Sequence, residues 1–129
     1  MTPLRRAALS VAFLACNSGS TGSTPPPNAD VATEVVATNL DTVWELAWSP
    51  DGFLWMTERA GRVSRVNPET GAVTPVAEIP VTESGEGGLM GLALHPDFPD
   101  HPWVYLAHTY RGASGLRNRV VRARYDGTS

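Results

Sequence analysis

From residue 31 onward, short segments rich in β-branched and aromatic residues alternate with turn signals at intervals of about 8–12 residues. That spacing predicts antiparallel strands in a meander, and it offers no sustained 3.6-residue period for a helix. Pro50-Asp51-Gly52, Ala60-Gly61 and Asn67-Pro68-Glu69-Thr70-Gly71 supply the turns, because Pro presets φ and Gly accepts positive φ. Four strands are expected between them, at Trp44 to Trp48, Phe53 to Glu58, Arg62 to Val66 and Ala72 to Ile79. Phe53-Leu54-Trp55-Met56 is apolar on consecutive residues, so this strand should be buried on both faces, inside a stack of sheets.

The pattern recurs. Leu46-Ala47-Trp48-Ser49-Pro50-Asp51 is echoed by Leu92-Ala93-Leu94-His95-Pro96-Asp97, and Phe53-Leu54-Trp55-Met56 by Trp103-Val104-Tyr105-Leu106. Arg62-Val63-Ser64-Arg65-Val66 is followed later by Arg119-Val120-Val121-Arg122-Ala123, and both copies reach a turn, Thr70-Gly71 and Asp126-Gly127. The second copy supplies three strands, near Leu89 to Leu94, Trp103 to Thr109 and Arg119 to Tyr125. Four-stranded sheets repeating every 40–50 residues or so mark the blades of a β-propeller. The expected fold is therefore all-β, a propeller of which residues 31–129 hold about two blades. A blade buries its faces only against neighbouring blades, and propellers carry roughly four to eight. The chain is accordingly expected to be the N-terminal part of a larger ring.

Composition adds limits. The 129 residues carry a formal charge of −3, with 42% hydrophobic and 18% charged residues, an ordinary globular balance. The arginines are dispersed and form no basic stripe, which argues against nucleic acid as a partner. Arg5 and Arg6 precede an apolar run, Ala7 to Ala15, with the look of an export signal. This run is too short to cross a bilayer, which takes about 20 residues. Cys16 follows Phe13-Leu14-Ala15 and resembles the lipidated cysteine of a bacterial lipobox, although Phe13 stands where Leu is usual. Residues 1–16 are read as a signal peptide of lipoprotein type with Cys16 as the lipidation site, the alternative being a plain secretory signal. Residues 17–30, mostly Ser, Gly, Thr and Pro, read as a flexible linker. The expected location is exported: periplasmic or at the outer cell envelope, held to a membrane by the lipid, or secreted. Cys16 is the single cysteine, so the folded part contains neither a disulfide nor a thiolate metal site.

Two stretches carry a family resemblance. Asp51-Gly52, Thr57-Glu58-Arg59, Gly61-Arg62-Val63 and Val66-Asn67-Pro68-Glu69-Thr70-Gly71 form the first, and Gly85-Glu86-Gly87-Gly88-Leu89-Met90-Gly91-Leu92-Ala93-Leu94-His95-Pro96-Asp97-Phe98 the second. Together they resemble the opening of the soluble quinoprotein glucose, sorbosone and aldose sugar dehydrogenases, over about Leu40 to Gly127. The first stretch is shared with lactonase and streptogramin-lyase propellers; the second is the specific one. The resemblance implies a six-bladed propeller that binds pyrroloquinoline quinone (PQQ) and calcium, oxidises aldose sugars by hydride transfer to the quinone, and passes electrons to an acceptor. It also implies that Glu86 sits where the family places an acid or amide in the axial pocket, with Gly87 and Gly88 beside it letting backbone approach substrate or cofactor. The family's catalytic histidine, its quinone-gripping residues and its calcium-binding carbonyls have no counterpart in these 129 residues. No catalytic or metal-binding residue is thus assigned, and the stretch alone is expected to bind neither PQQ nor calcium and to be inactive.

Other candidates yield to simpler readings. Without the resemblance, Glu86 would be a solvated loop acid beside Glu83. A dinucleotide fingerprint would need Gly at Met90. His95 occupies the place of Ser49 ahead of a Pro-Asp turn and reads as a turn residue rather than a base. His95, His101 and His108 match no metal-ligand spacing, and His108 shares a strand face with Val104 and Leu106. Arg122 and Arg124 alternate with Val121, Ala123 and Tyr125, as on an outer strand. Trp44, Trp48, Trp55 and Trp103 are expected to pack between blades. Two other functions stay open: a metal-dependent lactonase or lyase, and a non-catalytic propeller binding carbohydrate or protein on its axial face.

Overall fold

The computed structural model describes residues 31–127. The signal segment, the whole linker and Cys16 lie outside the described residues. Seven strands follow one another: β1 (Val43–Trp48), β2 (Leu54–Glu58), β3 (Arg62–Val66), β4 (Val73–Glu78), β5 (Leu89–Leu94), β6 (Trp103–Gly112) and β7 (Gly115–Arg124). They form two antiparallel meanders, a four-stranded sheet ordered β1-β2-β3-β4 and a three-stranded sheet ordered β5-β6-β7. All regular structure among the described residues is strand, and each expected strand is found.

The turn residues do what their chemistry predicts. Gly52, Gly61 and Gly71 take positive φ (84°, 119° and 72°) at the three hairpins of the first sheet. The two Pro-Asp turns are equivalent: Gly52 N–H donates to the Ser49 carbonyl at 3.0 Å, and Phe98 N–H donates to the His95 carbonyl at 2.9 Å. Nδ1 of His95 also accepts the Asp97 amide at 3.1 Å, so His95 is a turn cap, as its place in the repeat implies.

One hairpin is longer than the sequence suggests. β6 and β7 stay paired through Thr109–Asn118, Tyr110–Arg117 and Arg111–Leu116 to Gly112–Gly115, leaving a two-residue turn. The polar run from Arg111 to Asn118 looks like loop because a solvated outer strand needs no apolar face. Arg119 stacked over the Tyr110 ring at 4.5 Å supplies cross-strand contact there instead.

The core lies between the sheets. Trp55 and Val63 from the first sheet meet Leu89, Leu92, Val104 and Leu106 from the second, with Phe98 from the β5–β6 turn. Trp55 meets Phe98 and Tyr125 edge to face, at centroid distances of 5.5 and 5.0 Å. Each such fully buried aromatic or aliphatic side chain contributes about 1.5–3 kcal/mol. β2 is buried along nearly its whole length, as its consecutive apolar residues predict. Hydrogen bonds cross the interface: Thr57 Oγ1 donates to the Met90 carbonyl at 2.8 Å, and Leu89 N–H donates to the Arg59 carbonyl at 2.8 Å. The sheets approach most closely where β5 passes β1 and β2. Toward β4 and β7 they part, leaving a gap of about 210 Å³ lined by Val63, Val76, Ile79, Ala123 and Tyr125.

The tryptophans do not all pack as expected. Trp55 is fully buried, but Trp44 and Trp48 are 42% and 62% exposed, and Leu46 between them is 57% exposed. β1 is an edge strand whose Leu46 and Trp48 share the sheet face turned away from the second sheet. An apolar side chain is buried only if its face has a neighbour, which sequence alone does not reveal. Trp103 is half-buried, with the Arg122 guanidinium over its ring at 4.2 Å.

Candidate functional site

The glycine-rich segment forms a tight turn ahead of β5. Ser84 and Gly87 pair across it, with Gly87 N–H donating to the Ser84 carbonyl at 2.9 Å, and Gly85 adopts φ +57°. Glu86 is therefore carried at the tip, exposed, three residues before β5, the strand that enters the interface. Gly88 lies buried behind it.

Two residues grip this turn from opposite sides. From the first sheet, Arg59 Nη1 donates to the Gly85 carbonyl at 3.0 Å, and its Nε pairs with Glu83 at 3.3 Å. From β6 comes Thr109. Its N–H donates to the Gly88 carbonyl at 2.9 Å, its carbonyl accepts Thr82 N–H at 2.9 Å, and its Oγ1 accepts Gly88 N–H at 3.3 Å. The Thr109 hydroxyl then donates to Asn118 Oδ1 at 2.8 Å. A β-carbon on Gly87 would stand 2.9 Å from Thr109 Oγ1, so glycine there is a matter of space.

The turn opens onto a concavity of about 530 Å³ lined by Trp44, Glu86, Met90, Leu116, Arg117 and Asn118, with Ser84, Gly87 and Thr109 at its floor. Its polar groups suit a polyhydroxylated molecule: a carboxylate to accept, an amide and a guanidinium to donate, and an indole beside them. Glu86 and Gly87, singled out in the sequence, line this concavity; Gly88 supports it from behind. Trp44, Arg117 and Asn118 were not singled out as site residues, since only the long β6–β7 hairpin brings Arg117 and Asn118 over the glycine turn.

The histidines stand elsewhere. The His95 and His101 rings lie 5.1 Å apart at the β5–β6 turn. His108 is buried. Arg119 Nε donates to His108 Nε2 at 3.1 Å, which places the ring hydrogen on Nδ1, 3.3 Å from the Thr109 carbonyl. His108 thereby braces Thr109. The outer-strand arginines divide as expected, with Val121 and Tyr125 packed on the core and Arg122 outside.

Two stacked antiparallel meanders of one repeat, with a glycine turn leading into β5, define this chain as part of a β-propeller. The Glucose / Sorbosone dehydrogenase family profile matches residues 40–129, more than half of the chain. Quinoprotein glucose dehydrogenase B of Acinetobacter calcoaceticus is 39% identical over 100 residues, covering 71% of this chain and 21% of that protein. An aldose sugar dehydrogenase of Escherichia coli is 31% identical over 110 residues, covering 84% of this chain and 29% of its own length. The structure of the PQQ-bound aldose sugar dehydrogenase from Streptomyces coelicolor superposes with a TM-score of 0.67 at 41% identity, over 73% of this chain and 28% of that one. The chain belongs to the glucose/sorbosone dehydrogenase family. It spans between about a fifth and three tenths of the length of the curated relatives it matches.

Proposed function

We propose that these residues form the first blades of an exported, PQQ-dependent sugar dehydrogenase that oxidises aldoses, and that Glu86 binds the sugar. The observation that carries this reading is the placement of Glu86 on a turn fixed by Arg59 and Thr109, facing a concavity with Arg117 and Asn118. A sugar hydroxyl both donates and accepts, and this lining offers it both partners. The bonds from Arg59 and Thr109 fix the backbone of the turn, so that binding has only the Glu86 side chain left to order.

The same residues do not by themselves fit the quinone. PQQ is a planar tricarboxylate, and the lining presents one guanidinium with a carboxylate beside it. PQQ and calcium belong, in this reading, with parts of the complete protein beyond these blades, and no chemical step is assigned to the residues described. The aldose substrate and an electron acceptor are likewise partners of the complete protein. Export rests on the Arg5-Arg6 and Ala7 to Ala15 pattern, and a lipid anchor on Cys16.

The test is an assay of the complete gene product with PQQ, calcium and a redox dye. Aldose-dependent dye reduction, with kcat/KM lowered by about 10- to 100-fold in Glu86→Ala, is expected from the loss of a charged hydrogen-bond acceptor. Full activity in Glu86→Ala would remove Glu86 from the site, and absence of any aldose oxidation would remove the dehydrogenase reading.

A further inference from the structure

We infer that Thr109 is a positioning residue for the sugar site, setting both the place of Glu86 and the donor direction of Asn118. The inference rests on the reading of Glu86 as a sugar ligand.

Thr109 is 4% exposed and lies on β6, outside the glycine segment. Its backbone holds both legs of the Glu86 turn, through Thr82 on one side and Gly88 on the other. Any residue but proline could make those two bonds. The hydroxyl makes a third and a fourth, which run in one sense from Gly88 to Asn118. Gly88 N–H can only donate, so Thr109 Oγ1 accepts from it; the hydroxyl hydrogen is then free to be given to Asn118 Oδ1. With its oxygen engaged by Thr109, Asn118 is left with its Nδ2 hydrogens to offer, and it lines the concavity. The relay runs from glycine amide to threonine hydroxyl to asparagine amide, and it ends with a donor on the wall that also carries the Glu86 acceptor. A donor and an acceptor of fixed sense select a ligand whose hydroxyls have matching sense, which is the chemistry of an aldose rather than of an anion or an apolar molecule.

Valine at 109 keeps the shape and the two backbone bonds while deleting the relay. In the intact holoenzyme, Thr109→Val is expected to raise the aldose KM roughly 3- to 10-fold, the worth of a neutral hydrogen bond, with kcat held within about twofold. Thr109→Ser, which restores the hydroxyl, should rescue KM. Asn118→Asp, which removes the donor and leaves the backbone untouched, should raise KM at least as much, and adding Thr109→Val to it should cost little more. Titration of the apoprotein with aldose, followed by tryptophan fluorescence, should show Kd rising in parallel. Glu86→Ala serves as the reference. If it raises KM while Thr109→Val and Asn118→Asp do not, the relay is wrong and the Glu86 reading stands. If Glu86→Ala has no effect, the sugar-site reading itself has failed. Equal impairment of Thr109→Ser and Thr109→Val would show that packing, rather than the hydroxyl, is what matters. Should Thr109→Val not fold, Asn118→Asp still decides.

Discussion

Gly88 packs so closely against Arg59 that a β-carbon at position 88 would overlap the Arg59 carbonyl oxygen and approach its Cγ to 2.6 Å. Gly88 also holds φ +154°, a region essentially reserved for glycine. Gly85, three residues earlier, has φ +57° and open space around it. The same substitution should therefore give two results. Gly85→Ala is expected to cost about 1 kcal/mol, the backbone penalty alone, whereas Gly88→Ala should cost roughly 3 kcal/mol or more because the two sheets must separate to admit the methyl group. Denaturant midpoints of the two variants check this.

Arg65 holds the outer side of the core together. Its Nη2 meets Asp51 at 2.8 Å, its Nη1 donates to the Tyr125 hydroxyl at 2.7 Å, and its guanidinium lies over the Phe53 ring at 3.9 Å. Three directions at once need a planar fork. Arg65→Ala is expected to lower stability by about 2–3 kcal/mol, and Arg65→Lys to recover less than half of that. Thermal or chemical unfolding measures both, and a double-mutant cycle with Asp51→Asn isolates the ion pair.

Leu46 and Trp48 expose a contiguous apolar strip on β1, and Val120 on β7 is 70% exposed. An edge strand with an apolar face promotes association. The 129-residue chain by itself is expected to self-associate as its concentration rises, and Trp48→Lys with Leu46→Lys should weaken that association. Sedimentation velocity over a concentration series reads it out.

The strands and turns of both sheets were legible because Gly52, Gly61 and Gly71 punctuate runs of β-branched and aromatic residues, and because the Ser49 and His95 turns repeat. The glycine segment also pointed to Glu86. The grip of Thr109 on Gly88 was not legible, since the two are 21 residues apart and meet only through the β5–β6 register. Nor was Asn118 at the site, because its strand begins in a polar run without alternation. The exposure of Trp44 and Trp48 escaped for another reason. Tryptophan carries a strong expectation of burial, yet which face of β1 is covered depends on a neighbour and not on the residue.

Cys16 gives a prediction in cells. If it is lipidated, the protein should take up a labelled fatty acid and fractionate with membranes, and Cys16→Ser should abolish the label and move the protein to the soluble fraction. An unlabelled, soluble wild-type protein would replace the anchor with a plain secretory signal.

The hydrogen bonds from Thr57 to Met90 and from Leu89 to Arg59 tie the two sheets at one margin, while a gap stays open at the other. Layers hinged along one side and splayed along the opposite side are wedges. Each further wedge added in the same sense turns the stack through another increment, so such an assembly curves back toward its own beginning.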